Sequence, residues 1–158
     1  MKIVVVTGSP HRQGSSNLLA QRFIEGAQEN GHGVVIFDAG HHNIKPCIGC
    51  NACAMSGPCI QKDDVAPFQD ILLNSDMVVF VTPLYYFGFS SQIKMIIDRF
   101  YNINSKISAK HMKSALIVSA WDSVDWTLKD IKEHYLTLCR YLNFQNKGII
   151  LGGGCGNL

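Results

Sequence analysis

Two short stretches of the chain hold the residues whose types and spacing could do chemistry. The first is Ser9-Pro10-His11-Arg12-Gln13-Gly14-Ser15-Ser16-Asn17, a polar loop behind an apolar run and ahead of a helical pattern. Where a strand ends and a helix begins, unpaired backbone N–H groups and a positive dipole end gather, which suits a bound oxyanion such as a phosphate. Ser9, Ser15 and Ser16 add hydroxyl donors, Asn17 an amide and Arg12 a permanent charge. The alternative is an ordinary polar loop that ends in a Ser or Asn helix cap. The second stretch is Cys47-x2-Cys50-x2-Cys53-x5-Cys59. Two-residue gaps let successive sulfurs converge and the longer gap brings the fourth around, so four thiolates could wrap a [4Fe-4S] cube; Pro46, Gly49, Gly57 and Pro58 fit a tight non-helical loop. Zinc could use the same sulfurs, although structural zinc sites usually come as two separated pairs. A loop that stays empty or does thiol redox chemistry is the remaining reading. Cys139, on the apolar side of a helical pattern, and Cys155, among terminal glycines, read as bystanders.

The elements that must position these residues are legible as alternating patterns. Residues 3–6 are an unbroken β-branched run, which suits a strand buried on both faces of a parallel sheet. Runs at 34–37, 77–81, 115–118 and 149–151 read as four more buried strands. Apolar residues at helical spacing predict helices over 17–29, 65–73, 90–101 and 124–142. Strand and helix alternate throughout, so the economical architecture is an α/β fold: a doubly wound, five-stranded parallel sheet with helices on both faces. Its commonest order is 2-1-3-4-5, with a ligand at the switch between strands one and three. The cysteines fall in a long connection over 40–62.

Two further loops share that sheet edge. Strand three runs into Thr82-Pro83-Leu84-Tyr85-Tyr86-Phe87-Gly88-Phe89-Ser90, and strand four into Ser119-Ala120-Trp121-Asp122. Pro83 and Gly88 permit an irregular backbone, and the aromatic residues offer flat apolar faces on which a planar cofactor could stack. The alternative is that the rings merely cap the core. A phosphate loop and an aromatic loop at one edge point to a ligand with a phosphate tail and a flat ring, of which flavin mononucleotide (FMN) is the obvious candidate. The spacing from Gly8 to Gly14 is wrong for a Walker loop and lacks its Lys-Ser/Thr ending, which disfavours an ATPase or GTPase. No Gly-x-Gly-x-x-Gly follows strand one, and no helix follows Gly152-Gly153-Gly154, so a dinucleotide fingerprint is not indicated.

At 158 residues and 47% hydrophobic composition, the chain suits one domain over residues 1–158. A formal charge of +2 from 14 basic and 12 acidic residues, spread along the chain, leaves no basic run for nucleic acid. No apolar stretch approaches the roughly 20 residues that span a bilayer, and no signal-type segment precedes the first strand, so the expected compartment is the cytoplasm. Four crowded cysteines in such a chain favour metal, cluster or redox chemistry over structural disulfides.

With these residues in view, the chain resembles the NADPH-dependent FMN reductase family of flavodoxin-like proteins over nearly its full length. The resemblance lies in Gly8-Ser9-Pro10-His11-Arg12 through Ser16-Asn17, in Thr82 through Tyr86 with Lys94 and Asp98-Arg99, and in Cys50, Cys53, Gly57, Cys59 and Asp63-Asp64. It implies that Ser9, Arg12, Ser15, Ser16 and Asn17 hold the FMN phosphate. It also implies that Pro83, Leu84, Tyr85, Tyr86, Phe87 and Gly88 line the ribityl chain and ring, together with Ser119 and Trp121. The segment after strand four lacks the Gly-rich loop of many members, and the terminal helix of longer relatives is expected to be missing. The cysteine spacing is similar to that of the iron-sulfur flavoproteins, a branch in which Cys47, Cys50, Cys53 and Cys59 would ligate a cluster that exchanges electrons with FMN. The implied activity is hydride transfer from NADPH or NADH through flavin to an acceptor, in a dimer or higher homo-oligomer. An iron-sulfur electron carrier and a zinc-stabilised, non-catalytic binding module are the alternatives. His41-His42 reads as solvated loop, Asp63-Asp64 as a helix start ahead of Pro67, and Asp98 and Arg99 as packing residues.

Overall fold

The β-branched run behind the first loop becomes the centre of a sheet. In the computed structural model, which describes residues 1–157, β1 (Lys2–Thr7), β2 (Gly33–Asp38), β3 (Met77–Pro83), β4 (Lys113–Ser119) and β5 (Gln145–Gly152) pair in parallel in the order β2-β1-β3-β4-β5. This is the expected doubly wound, flavodoxin-like order. Leu158, the end of the expected domain, lies outside the described residues.

Alternation along the central strands sorts the core into two layers. Val4, Val6, Val78, Phe80, Leu116 and Val118 face one side and pack with Phe68 and Leu72 of α2 (Val65–Leu73), Ile93 and Ile96 of α3 (Ser91–Asp98), Ile107 of α4 (Asn104–Ala109) and Ile131 and Tyr135 of α5 (Lys129–Tyr141). Ile3, Val5, Val79, Val81, Ala115 and Ile117 face the other side, beneath Leu19, Ala20, Phe23, Ile24 and Ala27 of α1 (Ser15–Glu29). β2 and β5 correct the expectation of five buried strands, because both are largely exposed. Each has a neighbour on one side only, and β5 begins with the polar run Gln145-Asn146-Lys147.

Three helix boundaries also differ from the periodicity. α1 starts at Ser15 rather than 17. The pattern over 90–101 divides into α3 and a 3-10 turn, Arg99–Ile103, which leads into the short α4 that the sequence pattern did not reveal. α5 begins at Lys129 rather than 124 because Asp122 holds the preceding residues in a turn: its Oδ1 accepts from the N–H groups of Ser123 (2.7 Å) and Val124 (3.1 Å), and its Oδ2 from the Thr127 hydroxyl (3.0 Å).

The long connection between β2 and α2 is closed at its neck. Asn43 N–H donates to Asp64 Oδ2 (2.7 Å), Asp64 N–H to Asn43 O (3.0 Å) and Lys45 N–H to Asp63 Oδ2 (2.9 Å). Arg99 grips both sides, donating to Asp63 through Nη1 (2.7 Å) and Nη2 (3.2 Å) and to Lys45 O (3.0 Å). The two side chains are only 2% and 0% exposed. The tandem aspartates thus do more than start α2, although Asp63 Oδ1 also accepts from Val65 N–H (3.2 Å), and Arg99 is a clamp on the loop rather than general packing. Burial acts to raise the Asp63 pKa, but the bonds from Arg99 and from the Lys45 and Val65 N–H groups prevail and hold it below its ordinary value.

A carboxyl with a lowered folded pKa contributes stability above its unfolded value near 3.8 and loses it as pH falls through the folded pKa. Replacing Arg99 with Ala leaves the buried carboxylate without its cation and is expected to cost about 3–5 kcal/mol at neutral pH. Because Asp63 takes up a proton more readily in that variant, the stability gap to wild type narrows on acidification. Urea unfolding from pH 7 to pH 4 measures this, and a gap that stays constant overturns the assignment.

Candidate functional site

The loop after β1 offers an anion its backbone rather than its hydroxyls. Gly14, the residue before α1, supplies no side-chain cap, and the N–H groups of Ser15 and Ser16 find no acceptor among the described residues. The three serines expected to hold a phosphate are otherwise engaged. Ser9 Oγ accepts from His11 N–H (3.2 Å), Ser15 Oγ donates to Cys155 O (3.2 Å), and Ser16 Oγ bonds Ser119 Oγ (2.6 Å) in the interior. Asn17 braces the loop, its Nδ2 donating to His11 O (2.9 Å) and Arg12 O (3.3 Å), and its buried Oδ1 has no partner. Arg12 is exposed and takes part in no ion pair among the described residues. Free first-turn amides, a dipole end and an uncommitted cation fit a phosphate group.

Close approach shapes this corner. Gly8 N–H donates to Val81 O (2.9 Å), and a Cβ at Gly8 would collide with Ile93 and with the Ser90 hydroxyl, so only glycine lets the loop cross the start of α3. The Ser16–Ser119 bond then ties the loop to the end of β4. Ser119 therefore stands beneath α1 and joins the two halves of the site from below.

The aromatic loop after β3 is a strained hairpin. Tyr85 and Gly88 exchange backbone hydrogen bonds (3.2 and 3.1 Å), and between them Tyr86 (φ 45°) and Phe87 (φ 65°) both occupy the left-handed region. Two bulky residues there oppose the usual Gly or Asn preference of such turns. The hairpin is held at its base, where Thr82 Oγ1 accepts from Ser90 N–H (3.0 Å) and Ser90 Oγ from Ile93 N–H (3.4 Å), and Leu84 N–H donates to Ser119 O (2.8 Å). A cleft of about 310 Å³ opens beside it, bordered by Leu84, Tyr86, Phe87, Trp121, Asp122 and Trp126. Phe87 packs on Trp126 with ring centroids 5.2 Å apart. Tyr86 is 99% exposed and Trp121 78%. Of the expected ring-lining residues, Pro83 ends β3 and Tyr85 and Gly88 close the hairpin, while Leu84, Tyr86, Phe87 and Trp121 border the cleft.

Trp126 was absent from the expected site, and Thr82 and Ser90 stood in its aromatic loop with no role assigned. Trp126 fell inside a presumed helix. The hydroxyls at 82 and 90, bracketing the aromatic run, are the signal that marks the hairpin's base. Asp122, beside Trp121, has its pKa lowered by the Val124 N–H and Thr127 hydroxyl bonds.

The four loop cysteines are free: Cys47 and Cys50 are exposed, Cys53 and Cys59 half-buried. Among the described residues no three His, Cys, Asp or Glu side chains come close enough to hold a metal ion. As placed, the thiols do not converge on a single metal ion. The loop backbone is left-handed at Gly49, Asn51, Ala54 and Met55, with φ of 64°, 57°, 46° and 64°. His41 and His42 turn back onto Asp38 (2.9 and 2.7 Å).

The chain matches the NADPH-dependent FMN reductase family over residues 1–144. An iron-sulfur flavoprotein from Methanocaldococcus jannaschii is 32% identical over 99 residues, 63% of this chain and 51% of that protein. The chain thus spans about half the length of the iron-sulfur flavoproteins it matches. Among solved structures, an NAD(P)H:quinone oxidoreductase from Methanothermobacter marburgensis covers 98% of this chain and 87% of its own with TM-score 0.79 at 17% identity. An FMN-dependent NADH-azoreductase from Bacillus anthracis, solved with FMN, covers 100% and 90% with TM-score 0.72 at 12% identity. Both structural likenesses speak to the fold.

The exposed Tyr86 side chain makes little contact that offsets its backbone strain. Tyr86→Asn, which suits the left-handed region, is expected to stabilise the protein by about 1 kcal/mol. Urea unfolding that shows no gain, or a loss, refutes the strained-turn description.

Proposed function

The chain belongs to the NADPH-dependent FMN reductase family, and on that premise we propose that it is an FMN-dependent NAD(P)H oxidoreductase that serves a small-molecule or protein acceptor. The observation that carries this reading is the pairing of an uncapped helix N-terminus with an aromatic cleft, joined through Ser16 and Ser119. When bound, FMN supplies hydride acceptance from a reduced nicotinamide and the onward transfer of the electrons to an acceptor.

The residues' own tasks are binding, orientation and exclusion of water. The Ser15 and Ser16 N–H groups and Arg12 hold the phosphate; Ser9 and Asn17 act one step behind, by fixing the loop. Leu84, Phe87, Trp121 and Trp126 flank the ring, with Tyr86 at the rim, and Pro83, Tyr85 and Gly88 set the hairpin that presents them. No side chain in the cleft needs to move a proton for hydride transfer, and the aromatic walls shield the ring from its sides while a partner subunit excludes water at the mouth. The exposed Tyr86 and Trp121 support a homo-oligomer, a dimer or higher, that covers the cleft mouth. No helix among the described residues is long and apolar enough to cross a membrane, and a cytoplasmic location is part of this reading.

FMN and riboflavin differ by the phosphate alone, so their affinities test both halves of the site. FMN is expected to bind more tightly by about 1.5–3 kcal/mol, roughly 10- to 150-fold, the worth of charge-assisted hydrogen bonds. Flavin fluorescence titration measures it. Equal affinities would remove the phosphate site, and failure to bind FMN would remove the function.

A second reading, an electron carrier with a [4Fe-4S] cluster on Cys47, Cys50, Cys53 and Cys59, is supported by the cysteine spacing and by relatives named iron-sulfur flavoproteins. Iron and acid-labile sulfide in anaerobically purified protein decide it: about four irons per chain are expected for one cubane, and an iron-free flavoprotein excludes it. A colourless, zinc-containing protein would instead favour the zinc-stabilised module.

A further inference from the structure

The segment that leaves β5 is stitched across both halves of the site. Ala120 N–H donates to Gly152 O (2.7 Å), Gly154 N–H to Asp122 O (3.2 Å) and Cys155 N–H to Ala120 O (2.8 Å), while Ser15 Oγ reaches Cys155 O (3.2 Å). One flank of the segment therefore holds the loop after β4, and the other holds the first turn of α1. Trp121 lies on that loop with its indole on the cleft wall, yet the side chain is mostly exposed. An exposed ring keeps one orientation only if something underneath fixes it.

Gly156 is what lies underneath. A Cβ built on Gly156 would stand 2.5, 2.6 and 2.8 Å from Trp121 Cδ2, Cε3 and Cε2, so the indole rests directly on backbone with no room for a side chain. We propose that Gly156 is a positioning residue for the cleft: its bare Cα seats the Trp121 indole as a cleft wall, and any side chain at 156 displaces the ring. The role in cofactor binding rests on the function proposed above; the seating of the ring does not. Because the ring borders solvent, it relieves such a clash by rotating outward, at much smaller cost than rearranging the core. A substitution at 156 is thus expected to alter the cleft more than the fold.

The chain holds two tryptophans, Trp121 and Trp126, so a Trp126→Phe background leaves Trp121 as the sole tryptophan reporter. In that background, without FMN, Gly156→Ala and Gly156→Val are expected to red-shift Trp121 emission and increase its quenching by acrylamide. The control Gly26→Ala, whose Cβ meets nothing within 4 Å, leaves both unchanged. In the otherwise wild-type protein, Gly156→Val is expected to weaken FMN binding roughly 3- to 10-fold, the scale of one lost aromatic contact. In a Trp121→Ala background the same substitution costs nothing further, as a double-mutant cycle requires. Unchanged Trp121 emission in both Gly156 variants overturns the seating. An equal loss of FMN affinity with and without the Trp121 ring overturns its route through Trp121. If the parent protein binds no FMN, the proposed function falls, and the fluorescence arm alone decides the seating. Gly156→Ala keeps the test open should the larger variant fail to fold.

Discussion

The first turn of α1 begins without a cap, and the rest of the site is arranged around that fact. A helix start leaves backbone N–H groups without intrahelical partners, and an unmet buried donor costs about 1–3 kcal/mol. Three serines nearby have the chemistry to cap it, and none does. Ser9 closes its own loop, Ser15 reaches Cys155, and Ser16 is paired with Ser119. The hydroxyls serve to fix the frame, and the amides stay open to an incoming anion. α1 tolerates this because its stability comes from the face that Leu19, Ala20, Phe23, Ile24 and Ala27 bury against the sheet.

The sheet order turns one open helix end into a pocket. β1 and β3 are neighbours, but the chain leaves them for helices on opposite faces, so a crevice opens between their following loops. Gly8 lets the first loop cross the start of α3, and the Thr82–Ser90 bond pins the second loop as a hairpin. That hairpin carries Tyr86 and Phe87 in a left-handed backbone, a cost of roughly 1–2 kcal/mol per residue. Its anchors lie in the buried strands, where Phe80, Val81 and Thr82 are at most 1% exposed. A rigid scaffold thus presents aromatic faces that a relaxed turn would aim elsewhere.

How much of this was legible depended on whether a feature was local. The β-branched runs at 3–6 and 77–81 marked central strands because burial on both faces demands apolar residues at every position. The edge strands misled, since 34–37 and 149–151 are equally apolar and only their place in the sheet exposes them. The serines of the first loop were legible as hydroxyl donors, but not the partners that Ser15 and Ser16 find 140 and 103 residues away. Trp126 was hidden by a helical spacing that Asp122 interrupts through three hydrogen bonds. Arg99 looked like one more residue of a helix, and its function as a clamp exists only with Asp63, 36 positions earlier.

The same clamp bears on the cysteine loop. Asn43, Lys45, Asp63, Asp64 and Arg99 close its neck through bonds that involve none of the thiols. Beyond the neck, Gln61 Nε2 donates to Pro46 O (2.7 Å), and the body between them follows left-handed turns with its cysteines spread outward or half-covered. The bonds that set the clamp are made outside that body, which touches the rest of the fold through Tyr101 Oη donating to Asn51 Oδ1 (2.9 Å). Thiolate chemistry in the loop and formation of the flavin cleft are therefore physically separable. In a small metal-nucleated domain the ligand set is the core, and loss of metal unfolds the chain. Here the core belongs to Val4, Val78, Phe80 and Leu116 and their helices, so the existence of the cleft does not depend on what the loop holds.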